Sequence, residues 1–365
     1  MKHDDVSGMS EARAGAGSER FLVTGALGCI GAWTVRRLVL EGAAVWAYDL
    51  PGSPHRLRLV MNEDQLQQVN HVQGDVTDLE GFERTVVDNG ITRIVHLAAL
   101  QIPFVKADPV RGAQVNVVGT TVVFEAAKRH ADQVRGICYA SSAAVYGPAD
   151  AYPPGPLAHD ARRLPGTLYG VFKEAAEGVA KVYWQDHQLA SVGLRPYVVY
   201  GPGRDQGMTS TPTKAMLAAA LGRLYHISYG GEAVLQHAED AAAVFVAAAR
   251  ADPGGAPVYN LGGSSVHMED VVAAIEEAEP AMAGRITFES QSLPHPRDID
   301  ASELQRFLPE TSWRPLPEGV RQTVEHFKWA LRRGLIDADR ILGDGGPSAQ
   351  HAASVPRQRT TEEAR

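Results

Sequence analysis

The chain has 365 residues, 44% of them hydrophobic and 21% charged, which is ordinary for a globular protein of about two domains. Its two cysteines, Cys29 and Cys138, exclude a disulfide framework and a four-cysteine zinc site. The net charge of −8 gives no basic footprint for nucleic acid or an anionic membrane. No apolar run approaches the ~18 residues of a spanning helix. We therefore expect a cytoplasmic enzyme or binding protein that acts on a small molecule.

Composition also divides the chain into regions. Residues 1–18 are small and polar without an apolar stretch, and residues 343–365 contain almost no large apolar side chain. Such segments cannot offset the entropy cost of ordering, so we expect two disordered tails and no secretory signal. Between them we predict a dinucleotide-binding domain at 19–195. A substrate lobe, interleaved with late elements of that domain, is predicted at 196–342.

From Arg20 onward, short apolar runs alternate with helical patterns, which is typical of βαβ units around a parallel sheet. The predicted strands are 21–23, 44–48, one containing Val72, 94–97, 136–139 and 191–195. The predicted helices are 33–40, 108–129 and 169–187. The fold class is therefore predicted as α/β, a Rossmann-type doubly wound sheet followed by a smaller mixed α/β lobe.

A glycine-rich loop at 24–31 joins the first predicted strand to the first helix. Gly25 permits a tight turn, Gly28 lets the backbone approach a pyrophosphate, and Gly31 lets the helix pack close to the strand. The following helix presents its free amides and positive end to the phosphates. This context predicts a bound dinucleotide.

Asp49 ends the second strand and indicates which dinucleotide is bound. Its carboxylate is placed to accept hydrogen bonds from an adenosine ribose and to repel a 2′-phosphate, which favours NAD. Arg56 and Arg58 keep NADP as a less favoured alternative, because a nearby arginine can hold that phosphate.

A proton-transfer group is predicted on the helix after the fifth strand. Tyr169 and Lys173 are four residues apart and share a helix face. A neighbouring ammonium stabilises a phenolate and would bring the tyrosine closer to a working range. Ser141 and Ser142 end the fifth strand at the edge where open α/β folds bind ligands, and a hydroxyl there would hold a substrate oxygen.

Other chemistry has little support in the sequence. The 13 histidines form no metal-binding motif, so no metal site is predicted. His96 and His237 are expected to pack or to form hydrogen bonds. No G-x-S-x-G context surrounds the serines, which disfavours a hydrolase.

The chain resembles the extended short-chain dehydrogenase/reductases, the NAD-dependent epimerase/dehydratase group, from about Arg20 to Arg333. The matching segments, in order, are TGALGCIG (24–31), YDL (48–50), GDVTD (74–78), HLAA (96–99), NVVGT (116–120), SSAAVYG (141–147), YGVFK (169–173), LRPYVVYGPG (194–203), HAEDAAAVFVAA (237–248), YNLGG (259–263) and WRPLPEGVRQTVEHF.

The resemblance implies roles by position. Tyr169 would be the acid/base, Lys173 would bind the nicotinamide ribose, and Ser142, rather than Ser141, would orient the substrate oxygen. The residues implied in cofactor binding are Gly25, Gly28, Cys29, Ile30, Gly31, Asp49, Asp75, Val76, Leu97, Ala98, Ala99, Asn116, Tyr169, Lys173 and Pro196. The resemblance also implies a homodimer in which the helices at 108–129 and 169–187 form a four-helix bundle.

The sequence departs from the family pattern where dehydratases and nucleotide-sugar enzymes carry polar groups. Ala143 and Ala144 replace the acidic pair of the dehydratases. Val198 occupies the position of an asparagine in the nucleotide-sugar epimerases, and Ala233 or Val234 occupies that of an arginine. In those enzymes both polar residues hold the diphosphate of the substrate. Arg297, in HPRDID, is left as a third diphosphate contact. Arg204, Gln206 and Lys214 follow the sixth strand and suit either a pocket roof or a solvated loop.

Three hypotheses follow. The first is an NAD-dependent dehydrogenase of a small hydroxylated or sugar-like substrate, with Tyr169 as base. The alternative is an epimerase, acting on a nucleotide sugar or a free sugar, that keeps its NAD and gives no net redox. The third and most remote hypothesis is a non-catalytic dinucleotide sensor. A protein that only binds a dinucleotide does not need a tyrosine whose pKa is adjusted by a neighbouring lysine.

Overall fold

The computed structural model describes residues 19–343. The predicted tail at 1–18 lies outside this range, as does the predicted tail at 343–365 apart from Gly343. The strands are β1 Arg20–Thr24, β2 Ala44–Asp49, β3 Val69–Gln73, β4 Arg93–His96, β5 Gly136–Ala140, β6 Val192–Arg195, β7 Val198–Tyr200, β8 Tyr225–Ile227, β9 Glu232–His237, β10 Val258–Asn260, β11 Ser264–His267 and β12 Ile286–Phe288.

The helices begin and end close to the loops that the sequence marks. They are α1 Cys29–Leu40, α2 His55–Val60, α3 Glu63–Leu66, α4 Leu79–Asp88, α5 Ile102–Ala107, α6 Pro109–Ala113, α7 Gly119–Arg129, α8 Leu168–His187, α9 Thr211–Ala220, α10 Ala238–Arg250, α11 Met268–Ala278, α12 Ser302–Phe307, α13 Leu316–Arg332 and α14 Ala338–Leu342.

The central sheet has seven strands in the order β10-β6-β5-β4-β1-β2-β3. Every pairing in it is parallel. The chain moves outward from β1 to β3 and then returns to β4 on the other side of β1. This reversal opens a crevice at the carboxyl ends of β1 and β4, where doubly wound folds bind ligands. The predicted Rossmann-type α/β fold is confirmed.

Alternate residues of β1 face opposite sides of the sheet, as the strand period requires. Phe21 and Val23 pack in a core that includes side chains of α1 and α10. Leu22 packs in a second core, on the other face, that includes side chains of α4, α7 and α8. Because both faces are covered, the strands are continuously apolar rather than alternating.

A smaller lobe follows β6. It contains a three-stranded sheet, β11-β9-β7, and a two-stranded sheet, β12-β8. A separate apolar cluster joins these strands to α9, α11 and α13. The chain re-enters the large sheet at β10, which pairs with β6. Late elements of the Rossmann unit thus interrupt the lobe.

The helix predicted at 108–129 is not one regular helix. The structure has α6, a π-helical turn at Gln114–Val118, and then α7. Asn116 lies in the π turn, and its side chain exchanges two hydrogen bonds with the backbone of Leu100, at 2.7 and 2.9 Å. Such turns often mark functional positions in helices.

Within residues 19–343, no helix is long and apolar enough to cross a membrane.

Candidate active site

A cavity of about 520 Å³ lies at the carboxyl edge of the central sheet, between the sheet and the small lobe. It collects predicted residues from seven separated segments of the chain. Those that line it are Gly25, Gly28, Cys29, Ile30, Gly31, Asp49, Asp75, Val76, Leu97, Ala98, Ala99, Ser142, Tyr169, Lys173 and Pro196. Asn116 does not line the cavity; it is buried behind it and fixes Leu100, which does.

The glycine loop makes one end of the cavity, and its geometry explains the three glycines. Gly25 has a φ of +67°, and a Cβ there would lie 2.7 Å from the Ala98 backbone nitrogen. A Cβ on Gly31 would lie 2.1 Å from the Gly25 carbonyl oxygen, so α1 packs against the loop only with glycine. Gly28 is the N-cap of α1, and a Cβ there would meet only that same oxygen, at 3.0 Å. The loop is therefore a bare backbone cradle that fits a pyrophosphate.

Asp49 closes the loop from β2. Its Oδ2 accepts a hydrogen bond from the Leu27 amide, and its Oδ1 accepts one from the Leu50 amide, both at 2.8 Å. Burial raises the pKa of Asp49, and these amides and the charge of Arg56 act in the opposite direction. A carboxylate at the end of β2 fits a ribose with free hydroxyls.

Arg56 lines the same end of the cavity, but its guanidinium group is already engaged. It donates to Asp205 Oδ1 through Nη2 at 2.6 Å and to the Leu27 carbonyl through Nη1 at 2.9 Å. Arg58, the other arginine considered for a 2′-phosphate, is exposed and does not line the cavity.

A second acidic residue lies on the β3 side. Asp75 Oδ1 accepts hydrogen bonds from the Thr77 amide and hydroxyl, and Oδ2 forms an ion pair with Arg111 at 2.7 Å. These partners outweigh the effect of burial, so the pKa of Asp75 is lowered. Asp75 and Val76 thus present a fixed edge to the cavity.

The two adjacent serines have different partners. Ser141 is buried, and its hydroxyl donates to Glu177 Oε1 at 2.5 Å. Ser142 caps a short 3₁₀ helix at Ala143–Val145, where its Oγ accepts from the Ala144 amide at 3.1 Å. The Ser142 hydroxyl remains beside Tyr169. Ser142 is thus the serine of the pair that is available to a substrate.

Tyr169 and Lys173 lie one turn apart in α8, with the lysine Nζ 5.8 Å from the centre of the tyrosine ring. Lys173 is buried, and its Nζ donates to the Ala140 carbonyl at 2.7 Å. Burial lowers the pKa of Lys173 to about 8. Burial also raises the pKa of Tyr169, although the Ser142 hydroxyl and the charge of Arg204 oppose it. This net direction differs from the lowering that we expected from Lys173.

His96 supports the sheet edge without entering the cavity. It is buried between two hydroxyls, with Nδ1 2.7 Å from Thr24 Oγ1 and Nε2 3.2 Å from Thr120 Oγ1. Burial lowers the pKa of His96 to about 3, with a smaller contribution from the charge of Lys173. His96 is a neutral hydrogen-bonding residue, as expected.

A buried ionic network beneath the serines was not apparent in the sequence. Glu177, on α8, forms ion pairs with the fully buried Arg195 at 2.7 Å and with Arg163 at 2.8 Å. Arg195 also donates to Tyr146 Oη at 2.6 Å. Arg195 and Glu177 join β6 to α8 and so fix the helix that carries Tyr169. No local pattern in the sequence predicts this network, because Arg195 and Glu177 meet only in the folded protein.

Three residues that line the cavity carry polar atoms without partners. Gln101 Oε1, Arg204 Nε and His295 Nδ1 are each buried, and none has a hydrogen-bond partner within residues 19–343. All three residues line the cavity. Of the loop residues suggested from sequence, Arg204 lines the cavity, whereas Gln206 and Lys214 do not. No sequence signal indicated His295.

The model of the NAD dependent epimerase/dehydratase family matches residues 21–262. The chain belongs to this family. It is 32% identical, over 85% of its length and 98% of the relative's, to UDP-glucose 4-epimerase of Mycolicibacterium smegmatis. Among solved structures, MoeE5 in complex with UDP-glucose and NAD is 27% identical with a TM-score of 0.70, covering 87% of this chain and 100% of that one. L-threonine dehydrogenase from Clostridium difficile shares the fold, with a TM-score of 0.74. The two proteins are 20% identical, and the match covers 87% of this chain and 99% of that one.

The structure shows where the residues lie that depart from the family pattern on the substrate side. Val198 is buried and lines the cavity, and Ala233 and Val234 are buried without lining it. The Arg297 side chain is 74% exposed, lies 4.0 Å from Glu232, and does not line the cavity. None of these residues, which occupy positions where the family resemblance implies diphosphate contacts, therefore brings a charge to this cavity.

Proposed function

We propose that this family member is an NAD-dependent dehydrogenase of a small hydroxylated substrate. One observation carries the proposal: the cavity joins a dinucleotide cradle to Ser142, Tyr169 and Lys173, whereas Val198 and the exposed Arg297, at positions where a diphosphate contact was expected from the family resemblance, bring no charge to it. Unpaired phosphate charge is costly to bury, so a compact substrate suits this site better than a nucleotide sugar.

NAD would be held by the residues that line the cradle end of the cavity. The glycine loop and the N-terminus of α1 would bind the pyrophosphate, Asp49 the adenosine ribose, and Asp75 with Val76 the adenine edge. The remaining proposed contacts are Cys29, Ile30, Leu97, Ala98, Ala99, Tyr169, Lys173 and Pro196, with Asn116 acting from behind through Leu100. When bound, NAD supplies a hydride acceptor.

The protein's own residues would handle the proton. Tyr169 Oη would take the hydroxyl proton of the substrate as the carbonyl forms, and Ser142 Oγ would hold that oxygen in place. Lys173 would bind the nicotinamide ribose, and its positive charge would stabilise the tyrosinate once the proton has moved. The hydrogen bond from Lys173 to the Ala140 carbonyl keeps the ammonium beside the ring.

NAD is preferred to NADP for two reasons. The Asp49 carboxylate would repel a 2′-phosphate, and Arg56, the nearest cation for it, is paired with Asp205. A phosphate there would have to compete with a buried carboxylate for the same guanidinium group.

An epimerase is the second candidate, and the relative of M. smegmatis favours it. The same Tyr169 would remove a hydroxyl proton, but the hydride would return to the opposite face of the same carbon, and NAD would stay bound. In such an epimerase the Arg297 side chain would have to turn toward the cavity to bind the diphosphate of a nucleotide sugar.

We also propose that the protein forms a homodimer through α7 and α8. Leu168, Val171 and Val182, on α8, and Val118, just before α7, are between 43% and 49% exposed. Exposed apolar side chains clustered on neighbouring helices are typical of an interface.

The test separates the two activities. Freshly purified protein is analysed for bound nicotinamide and then incubated with sugars, sugar acids, simple alcohols and UDP-glucose, while NADH formation and UDP-galactose are measured. A dehydrogenase exchanges NAD and forms NADH; stoichiometric NAD that survives gel filtration, with UDP-glucose epimerised, supports the second candidate and refutes the first.

A further inference from the structure

The cavity is lined by three polar residues that the proposed oxidation does not use. Gln101 follows β4, Arg204 follows β7, and His295 follows β12, so three distant segments contribute one buried and unpartnered atom each. The Gln101 amide oxygen and the Arg204 guanidinium group lie near each other, because a Cβ on Gly207 would lie 2.2 Å from Gln101 Oε1 and 3.3 Å from Arg204 Nη2.

Arg204 lacks a counterion within the described residues. Its Nη2 donates to the neutral Thr209 hydroxyl at 2.9 Å, and no carboxylate of residues 19–343 lies within ion-pair distance of it. The adjacent Asp205 is engaged by Arg56 and His55. A half-buried guanidinium group with a free Nε in a cavity is expected to meet an anion on the ligand.

The position of Arg204 favours the substrate as the source of that anion. Its Nη2 lies on the side of Gln101, as the two distances from a Gly207 Cβ show, although its charge acts on the pKa of Cys29 in the glycine loop as well as on that of Tyr169. The cofactor's pyrophosphate, the other anion available, already has the glycine loop and the N-terminus of α1.

Resting on the proposed function, we infer that the substrate is a polyhydroxylated carboxylic acid of the sugar-acid class, with its carboxylate on Arg204. A guanidinium group matches a carboxylate better than any neutral group does. Gln101 Oε1 can only accept, so it would take a hydrogen bond from a further hydroxyl. Burial lowers the pKa of His295 to about 4, so its neutral ring can exchange hydrogen bonds with another hydroxyl.

The reaction balances without a further reactant. One secondary C–H bond gives its hydride to NAD, the hydroxyl proton passes to Tyr169, and a ketone forms. The carboxylate is unchanged, so Arg204 determines which substrate is oxidised and where it lies. Arg204 is thus a specificity residue, and Tyr169 and Ser142 are the catalytic ones.

The experiment pairs each acid with an uncharged counterpart: D-gluconate with D-glucose and sorbitol, and D-galactonate with D-galactose. Wild type, Arg204→Gln, Arg204→Lys and the control Arg297→Gln are compared for kcat/KM, for the Kd of NAD and for the Tm of the NADH complex with each compound. Arg297 is exposed outside the cavity and should be silent.

We expect acids to raise the Tm of the NADH complex and neutral counterparts not to. In Arg204→Gln this shift should vanish, and kcat/KM for an acid should fall about 100-fold, as for a lost charged hydrogen bond. Arg204→Lys should recover part of the loss, and the Kd of NAD should stay within about threefold.

Three results would overturn the inference. Equal Tm shifts or rates for acids and neutral compounds would show that the carboxylate is not recognised, while NADH formation would leave the proposed dehydrogenase standing. A rise in the Kd of NAD in Arg204→Gln would assign the arginine to the cofactor. UDP-glucose epimerisation that is lost in Arg297→Gln, without NADH formation, would refute the proposed function itself.

Discussion

Ser141 and Ser142 are neighbours in the chain, but only Ser142 has a hydroxyl beside Tyr169, because that of Ser141 donates to Glu177 at 2.5 Å. The two serines are therefore a matched pair for mutation. Ser142→Ala should lower kcat by about 10²- to 10⁴-fold, and the loss of its cap on the 3₁₀ turn should lower the free energy of unfolding by only about 0.5 to 1 kcal/mol. Ser141→Ala should instead lower that free energy by about 1 to 3 kcal/mol, because a buried carboxylate loses a donor. Steady-state kinetics and urea unfolding of both variants check the assignment, and a reversal of the two effects would refute it.

The glycine loop should respond to alanine according to the space at each position. Gly31→Ala places a Cβ 2.1 Å from a backbone oxygen and should lower the free energy of unfolding by several kcal/mol, by roughly the cost of overpacking a core. Gly28→Ala meets that oxygen only at 3.0 Å and should keep the fold while weakening NAD binding. Gly255→Ala, where the nearest atom is 3.8 Å away, is the control. Calorimetric Kd values for NAD that are unchanged in Gly28→Ala would contradict the cradle.

Cofactor choice depends on Asp49 and on the ion pair between Arg56 and Asp205. Asp49→Ser should reduce the preference for NAD over NADP by about tenfold or more, because the repelling carboxylate is removed. Adding Asp205→Asn should increase NADP affinity further, since Arg56 is then free to bind the phosphate. The Kd of each cofactor for both variants is the measurement. A wild type that binds NADP as tightly as NAD would refute this account.

The buried neutral His96 should make the protein less stable in acid. Its pKa is lowered to about 3 in the folded state from 6.5, so between these values the unfolded chain binds more protons. Stability is therefore lost as the pH falls below about 6.5, by about 2 kcal/mol at pH 5. Urea unfolding at pH 7 and pH 5 should show a smaller pH dependence for His96→Gln than for His71→Gln, an exposed control. Equal slopes for the two variants would show that His96 does not carry this effect.

Local sequence patterns predict the parts of this site that are local in the chain. The glycines at 25, 28 and 31 and the spacing of Tyr169 and Lys173 each lie within one turn or loop. Asp49 could be placed as well, because adjacent parallel strands end at the same edge.

Local sequence patterns do not predict contacts between distant segments of the chain. Glu177 and Arg195 meet only because α8 crosses β6, and nothing in either segment indicates the other. The same holds for Gln101 and His295, which the fold brings to one cavity from positions nearly 200 residues apart. The π turn at Gln114–Val118 was missed because its apolar pattern is helical, whereas the bonds from Asn116 to Leu100 are tertiary.

The most direct test of the account is NADH formation by Tyr169→Phe beside wild type, with the sugar acids and their neutral counterparts as substrates. Burial raises the pKa of Tyr169, so wild-type kcat should increase with pH as the phenol loses its proton. Tyr169→Phe keeps the ring that would contact the cofactor, so it should bind NAD with a Kd within about threefold of wild type and lose at least about 100-fold in kcat at every pH. A variant that keeps the wild-type rate and pH profile would show that Tyr169 is not the base and would contradict the proposed mechanism.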